Sequence, residues 1–78
     1  MKFQKGDIIT GTPESDREYG ITTSNAIMKV IRTSPYFRVK IINHKHCKEE
    51  IGCTFDVHPK YFQFANNAIR RLDKWSLK

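Results

Sequence analysis

Residues 26–43 have the sequence AIMKVIRTSPYFRVKIIN, and this stretch decides the fold class. It contains two runs rich in β-branched residues, 26–33 and 36–43, on either side of the turn-forming pair Ser34-Pro35, and this pattern is typical of a β-hairpin. Successive side chains of a strand alternate between its two faces, so the apolar residues would share an inner face. The basic outer face would carry Lys29, Arg38 and Lys40.

Shorter apolar runs before and after the hairpin predict three more strands. Residues 8–10 would form the first strand, residues 54–57 the fourth and residues 63–64 the fifth, with a single helical turn at Pro59 between the last two. Residues 12–25 are chiefly small, polar or charged and predict a long loop. The predicted fold is therefore mainly β, with five strands.

The predicted core combines the inner face of the hairpin with apolar positions of the other strands. A chain of 78 residues forms one domain. A domain of this size buries only roughly 60–65 % of the surface that it exposes when unfolded, so no large substrate pocket is expected. The predicted core residues are Phe3, Ile8, Ile21, Met28, Val30, Phe37, Val39, Ile41, Phe55, Val57 and Phe62.

Residues 66–78 differ in character from the rest of the chain. Ile69, Leu72 and Trp75 have the spacing of one face of a helix, and basic residues occupy the other positions. We predict a short, basic helical appendage that follows a domain of residues 1–65. The basic residues of this tail include Arg70, Arg71 and Lys74.

Several short motifs in the chain mark turns and core positions. They are KGDII at residues 5–9, YGIT at 19–22, VKIINH at 39–44, Gly52, FDV at 55–57 and YF at 61–62. In these motifs the chain resembles a family of small, largely uncharacterised proteins from phages and low-GC Gram-positive bacteria. The resemblance covers about residues 3–64 and implies a five-stranded SH3-like barrel. It implies no binding residues, because turn and core positions specify a fold rather than a function.

The net charge of the chain is compatible with two interpretations. Fourteen Lys and Arg residues against eight Asp and Glu residues give a formal charge of +6. Such an excess favours an anionic partner. A charge of about 2–8 in magnitude also keeps ordinary small domains soluble, so both interpretations stay open at this point.

The cysteine content and the lack of long apolar segments predict a cytoplasmic protein. Cys47 and Cys53 are too few for the disulfide framework of a small secreted scaffold. Residues 1–30 contain no apolar segment of the signal-peptide kind, and no apolar run approaches the ~20 residues that span a bilayer. We expect reduced thiols, no membrane partner, and a location in the host cytoplasm if the protein is phage-encoded.

Histidine and cysteine side chains are the candidates for metal binding and nucleophilic catalysis. They are His44, His46, Cys47, Cys53 and His58. Zinc sites typically use ligand pairs two to four residues apart, and the chain has no Cys-x-x-Cys motif. It also lacks a Gly-rich phosphate loop and a nucleophile elbow. We predict no metal, no cofactor, no small-molecule substrate and no enzymatic activity.

Basic residues interleaved with aromatic ones favour nucleic acid as the partner, because unspecific binders combine both along a groove. With a turn at Ser34-Pro35, Lys29 faces Lys40 across the hairpin. Like charges in that position cost about 0.2–1 kcal/mol, which a bound phosphate would relieve. The predicted nucleic-acid-binding residues are Lys29, Arg32, Arg38, Lys40, Arg70, Arg71 and Lys74.

A host or phage protein is the alternative partner. SH3-like barrels bind peptides or partner surfaces in aromatic grooves beside a long first loop. Acidic residues in that loop, Glu14, Asp16 and Glu18, suit a protein partner better than a phosphate backbone. The candidate partner-contacting residues are Tyr19, Tyr36 and Tyr61, which could equally stack on the bases of a nucleic acid. Tyr19 and Tyr61 could instead complete the small core.

Overall fold

The structure, a computed structural model, describes residues 3–20 and 23–65. Within these ranges one sheet of five antiparallel strands is accompanied by one short α-helix and three single-turn 3-10 helices. The strands are β1 (Ile8–Gly11), β2 (Ala26–Arg32), β3 (Arg38–His44), β4 (Thr54–Asp56) and β5 (Phe62–Phe64), and the helix is α1 (Pro13–Tyr19). The 3-10 helices are Thr23–Asn25, Lys48–Glu50 and Pro59–Tyr61. The strand order is β4-β3-β2-β1-β5, and the predicted mainly β class is confirmed.

The predicted strands and the helical turn at Pro59 lie close to their expected positions. The turn of the hairpin is longer than the predicted pair, since residues 33–37 join β2 to β3, and the Ser34–Pro35 peptide bond is cis. The predicted helical tail at residues 66–78, and its basic residues with it, lies outside the described residues.

The prediction of a long loop between β1 and β2 is wrong, because α1 occupies half of that segment. Thr12 caps the helix: its side-chain oxygen accepts a hydrogen bond from the backbone N–H of Ser15 at 3.3 Å. Pro13 stands in the first turn, where its missing N–H costs nothing. Gly20 ends the helix in the left-handed conformation, with φ of 68°. These residues mark the two ends of the helix through their local conformational preferences. They do so without apolar residues at helical spacing.

Polar side chains fasten α1 to the 3-10 helix that precedes β2. The Asp16 carboxylate accepts hydrogen bonds from the Ser24 backbone N–H at 2.9 Å, from the Ser24 hydroxyl and from the Thr23 hydroxyl at 3.0 Å. Thr23 also packs directly on β1: a Cβ added to Gly11 would lie 2.1 Å from its hydroxyl oxygen. Glycine at position 11 therefore allows the close approach on which this junction depends.

The inner face of the sheet forms the core, as predicted for most positions. Predicted core residues that are buried are Phe3, Met28, Val30, Phe37, Val39, Ile41 and Phe62, while Phe55 and Val57 are half-buried and pack against them. Ile21 lies outside the described residues. The prediction for Ile8 is wrong, because β1 pairs Ile9 with Met28 and so turns Ile9 inward. Ile8 packs instead on the outer face, in a small cluster with Ile27, Ile42 and Ala65.

Candidate nucleic-acid interface

Four predicted nucleic-acid-binding residues come together on the outer face of the β2–β3 hairpin. Lys29 lies directly opposite Lys40, as predicted, and Arg32 lies directly opposite Arg38. Directly opposed residues share a face of the sheet, with neighbouring strands about 5 Å apart. We call Lys29, Arg32, Arg38 and Lys40 the basic stripe.

An irregularity in β2 places Arg32 in the basic stripe. Strict alternation after the inward-facing Val30 would turn Arg32 inward as well. The register shifts between Val30 and Arg32, so that Arg32 pairs with Arg38 instead. An extra residue of this kind re-aims the following side chain and increases the local twist of the strand. The shift therefore adds a second pair of opposed cations to the outer face.

Asp56 is the carboxylate that contacts the basic stripe. β4 pairs Asp56 with Arg38, whose Nε and Nη2 donate hydrogen bonds to its two carboxylate oxygens at 2.7 and 3.2 Å. These hydrogen bonds, which act together with the charges of Arg38 and Arg32, hold the pKa of Asp56 below its ordinary value against a smaller desolvation. The contact between Asp56 and Arg38 was not among the sequence predictions, because it depends on how β3 pairs with β4.

Arg32 is held less tightly than Arg38. Its guanidinium lies 3.8 Å from the same Asp56 oxygen, an ion pair without a hydrogen bond. The Arg32 Nε atom is buried and has no hydrogen-bond partner among the described residues. One carboxylate thus faces two guanidinium groups, of which only that of Arg38 forms hydrogen bonds with it.

Lys29 and Lys40 are exposed, and neither takes part in an ion pair anywhere in residues 3–20 and 23–65. Four cations against one carboxylate leave the basic stripe with a net charge of +3. The like charges of the two lysines face each other, and no carboxylate of the described residues forms an ion pair with either of them. The arrangement attracts anions and costs the free protein some stability.

The three candidate tyrosines differ in how much their rings contact the rest of the protein. Tyr19 and Tyr61 contact each other edge to face at 5.8 Å between centroids, and the Tyr19 hydroxyl accepts a hydrogen bond from the His58 backbone N–H at 2.7 Å. Both also pack against the core. Tyr36, in the hairpin turn, is 65 % exposed. Tyr19 and Tyr61 therefore serve packing, whereas the Tyr36 ring is largely exposed.

An open groove of about 530 Å³ lies at the end of the sheet where the hairpin turn meets the segment after β4. It is lined by Pro35 and Tyr36 of the turn, by Val57 and Pro59 of the segment after β4, and by Tyr19 at the end of α1. Asp56 belongs both to this groove and to the ion pairs of the basic stripe. Groove and stripe are therefore contiguous.

A second cavity, of about 300 Å³, lies at the opposite end of the hairpin, where Ala26, Ile41, His44, Cys47 and Glu50 line it. His44 is buried, and its Nδ1 accepts hydrogen bonds from the backbone N–H groups of His46 and Cys47 at 3.1 and 2.9 Å. That nitrogen therefore holds the backbone of the loop that follows β3.

The remaining candidates for metal chemistry do not converge. Cys47 and Cys53 are free thiols. Among the described residues, no group of three or more His, Cys, Asp or Glu side chains is placed to hold a metal ion. The same part of the chain contains no helix that is both long and apolar enough to cross a membrane.

The chain has no significant match among protein-family models, curated proteins or solved structures. Its function is therefore inferred from the geometry and charge of its own residues.

Proposed function

We propose that the chain is a non-enzymatic binding module, of the SH3-like barrel type, that contacts nucleic acid through the basic stripe. The observation that carries the proposal is the pairing of Lys29 with Lys40 and of Arg32 with Arg38 across one hairpin. The strand order, and the 3-10 helix between β4 and β5, support the barrel.

The electrostatics of the basic stripe support a phosphate backbone as the ligand. Its cations form two opposed pairs, Lys29 with Lys40 and Arg32 with Arg38. The two pairs lie roughly 7 Å apart along β3, because two residues of a strand span that distance. Contacts of this kind neutralise phosphates and release counterions, which makes the affinity steeply dependent on salt. They fix the position of the nucleic acid without reading its sequence. We therefore expect binding with little sequence preference.

Lys40→Glu is the sharpest test, because it moves stability and binding in opposite directions. A glutamate at position 40 would face Lys29 as an opposite charge, which stabilises a sheet by about 0.2–1 kcal/mol. The same change reverses one charge of the basic stripe, so we expect duplex DNA affinity at low salt to fall about tenfold or more. Unfolding in urea and anisotropy of a labelled duplex measure the two effects.

Lys45→Glu is the matched control. Lys45 is exposed, follows the far end of β3, and gives the same change in net charge. Its duplex affinity should stay close to that of the wild type. Equal losses in both variants would show a general charge effect and contradict the basic stripe as the site. Arg38→Glu is less informative, because a glutamate there would face Asp56.

The protein partner predicted as the alternative is the other outcome of this experiment. If the wild-type protein shows no salt-dependent binding to duplex or single-stranded nucleic acid at low ionic strength, the proposal is wrong. A pull-down from nuclease-treated host lysate then tests the protein alternative directly.

A further inference from the structure

Tyr36 offers an aromatic face that the fold itself does not use. It is the most exposed of the large hydrophobic residues in the described chain, ahead of Phe64 at 45 % and Ile51 at 44 %. In residues 3–20 and 23–65 no aromatic ring or cation packs on the Tyr36 ring. Aromatic rings gain free energy from offset-stacked or edge-to-face contact with a second π-system. Tyr36 therefore has a free face beside a groove.

We propose that this groove takes an unpaired base of a single-stranded nucleic acid, which stacks on Tyr36 while the adjoining phosphates contact the basic stripe. The inference rests on the proposed function and names its substrate class. An exposed aromatic ring and a contiguous set of cations are the two parts that sequence-tolerant single-strand binders use. Here the groove places them side by side.

The charge at the edge of the groove favours a nucleic acid over a peptide as its occupant. Asp56 is the carboxylate that lines the groove, and both of its oxygens accept hydrogen bonds from Arg38. Arg32 adds a second guanidinium at 3.8 Å from the same carboxylate. The negative charge of this groove residue is thus offset by two guanidinium groups, and the excess of positive charge beside it complements a phosphate next to the stacked base.

Base pairing prevents the same contact in a duplex. Bases of a duplex are stacked on one another, so a ring on the protein surface can stack only on a base that is unpaired or at an end. The basic stripe has no such restriction, because it contacts the backbone alone. Single strands should therefore use groove and stripe together, and duplexes the stripe alone.

The experiment compares Tyr36→Ala, Tyr36→Phe and Tyr36→Leu in the full chain, by anisotropy of labelled oligothymidylate of roughly 12 nucleotides and of a duplex of equal length. For Tyr36→Ala we expect oligothymidylate affinity to fall about 5- to 100-fold, the range for the loss of one stacked base, with duplex affinity unchanged. Tyr36→Phe should retain the affinity, because stacking needs no hydroxyl. Tyr36→Leu should lose it. Ile51→Ala is the control for loss of an exposed apolar side chain outside the groove.

Each outcome separates this inference from the proposed function. If Tyr36→Ala weakens both ligands equally or neither, base stacking at Tyr36 is excluded while the basic stripe stands. If Tyr36→Leu binds oligothymidylate as well as Tyr36→Phe, the contact is not aromatic stacking and the inference is wrong. If a proline-rich peptide binds the wild type through Tyr36 and oligothymidylate does not, the groove is a peptide site. If neither nucleic acid binds at low salt, the proposed function fails too.

Discussion

The α1 junction and the outer face of the hairpin are each centred on one aspartate, Asp16 and Asp56. In both regions the pKa of the carboxyl is lowered, but for different reasons. Burial opposes ionisation of Asp16, and the hydroxyl and backbone N–H groups of Ser24 and Thr23 outweigh that burial. Asp56 is exposed, and the hydrogen-bonded guanidinium of Arg38 lowers its pKa.

Asp16 is a structural carboxylate, whereas Asp56 lowers the positive charge of an exposed surface. Neutral donors at partly buried sites hold the backbone together and are little affected by salt. An exposed ion pair contributes about 0–1 kcal/mol and is screened by salt. We therefore expect Asp16 to affect folding and Asp56 to affect binding.

Asp16→Ala should have the largest effect on stability. It leaves the backbone N–H and the hydroxyl of Ser24 without their acceptor, whereas the Thr23 hydroxyl keeps Ser15 as a partner. Unpaired buried groups cost about 1–3 kcal/mol each. Water reaches part of this site, so we expect the free energy of unfolding to fall by about 2–3 kcal/mol in urea titration. Glu18→Ala, an exposed acid of the same helix, is the control. An equal loss in the two variants would contradict a structural role for Asp16.

The hairpin shows how much of the site the sequence predicts. Its inner face follows from alternation, because Met28 and Val30 on one strand and Val39 on the other are apolar at period two. The opposition of Lys29 and Lys40 follows once the turn is placed at Ser34-Pro35. These features depend on residues near one another in the chain, where pattern and turn chemistry suffice.

Features that depend on irregular or distant pairing could not be predicted in this way. The register shift before Arg32 leaves no mark in the alternation pattern, yet it decides the face on which that side chain lies. Asp56 reaches Arg38 through a strand that is distant in the chain. α1 has no apolar stripe that would reveal a helix, and the signals at Thr12 and Gly20 are purely local.

Lowering the pH should destabilise the α1 junction more than the outer face of the hairpin. A carboxyl whose pKa is lower in the folded state than its ordinary 3.8 stabilises the fold fully above that value, and the contribution is lost as the pH falls through the folded-state pKa. Below about pH 4 we therefore expect the stability difference between the wild type and Asp16→Asn to shrink. Urea titrations at a series of pH values measure it.

Salt distinguishes the two carboxyls within the same titrations. The acid-sensitive contribution of Asp16 should persist at high salt, because its donors are neutral. The smaller contribution of Asp56 should disappear, because it comes from an exposed ion pair. A stability difference for Asp16→Asn that stays constant from neutral pH to below pH 3 would show that Asp16 does not titrate with folding.

Asp56→Asn should have the smallest effect on stability, because it removes an exposed ion pair, and should nevertheless strengthen binding. Removal of this carboxylate leaves Arg38 and Arg32 unneutralised, so the net charge of the basic stripe rises by one. One added charge near a phosphate is worth about 1 kcal/mol in water, and we expect duplex affinity at low salt to rise about two- to fivefold. Glu49→Gln, with the same charge change at an exposed position outside the stripe, should give a smaller rise. Unchanged or weaker binding by Asp56→Asn would mean that Asp56 positions the arginines for the ligand rather than neutralising them.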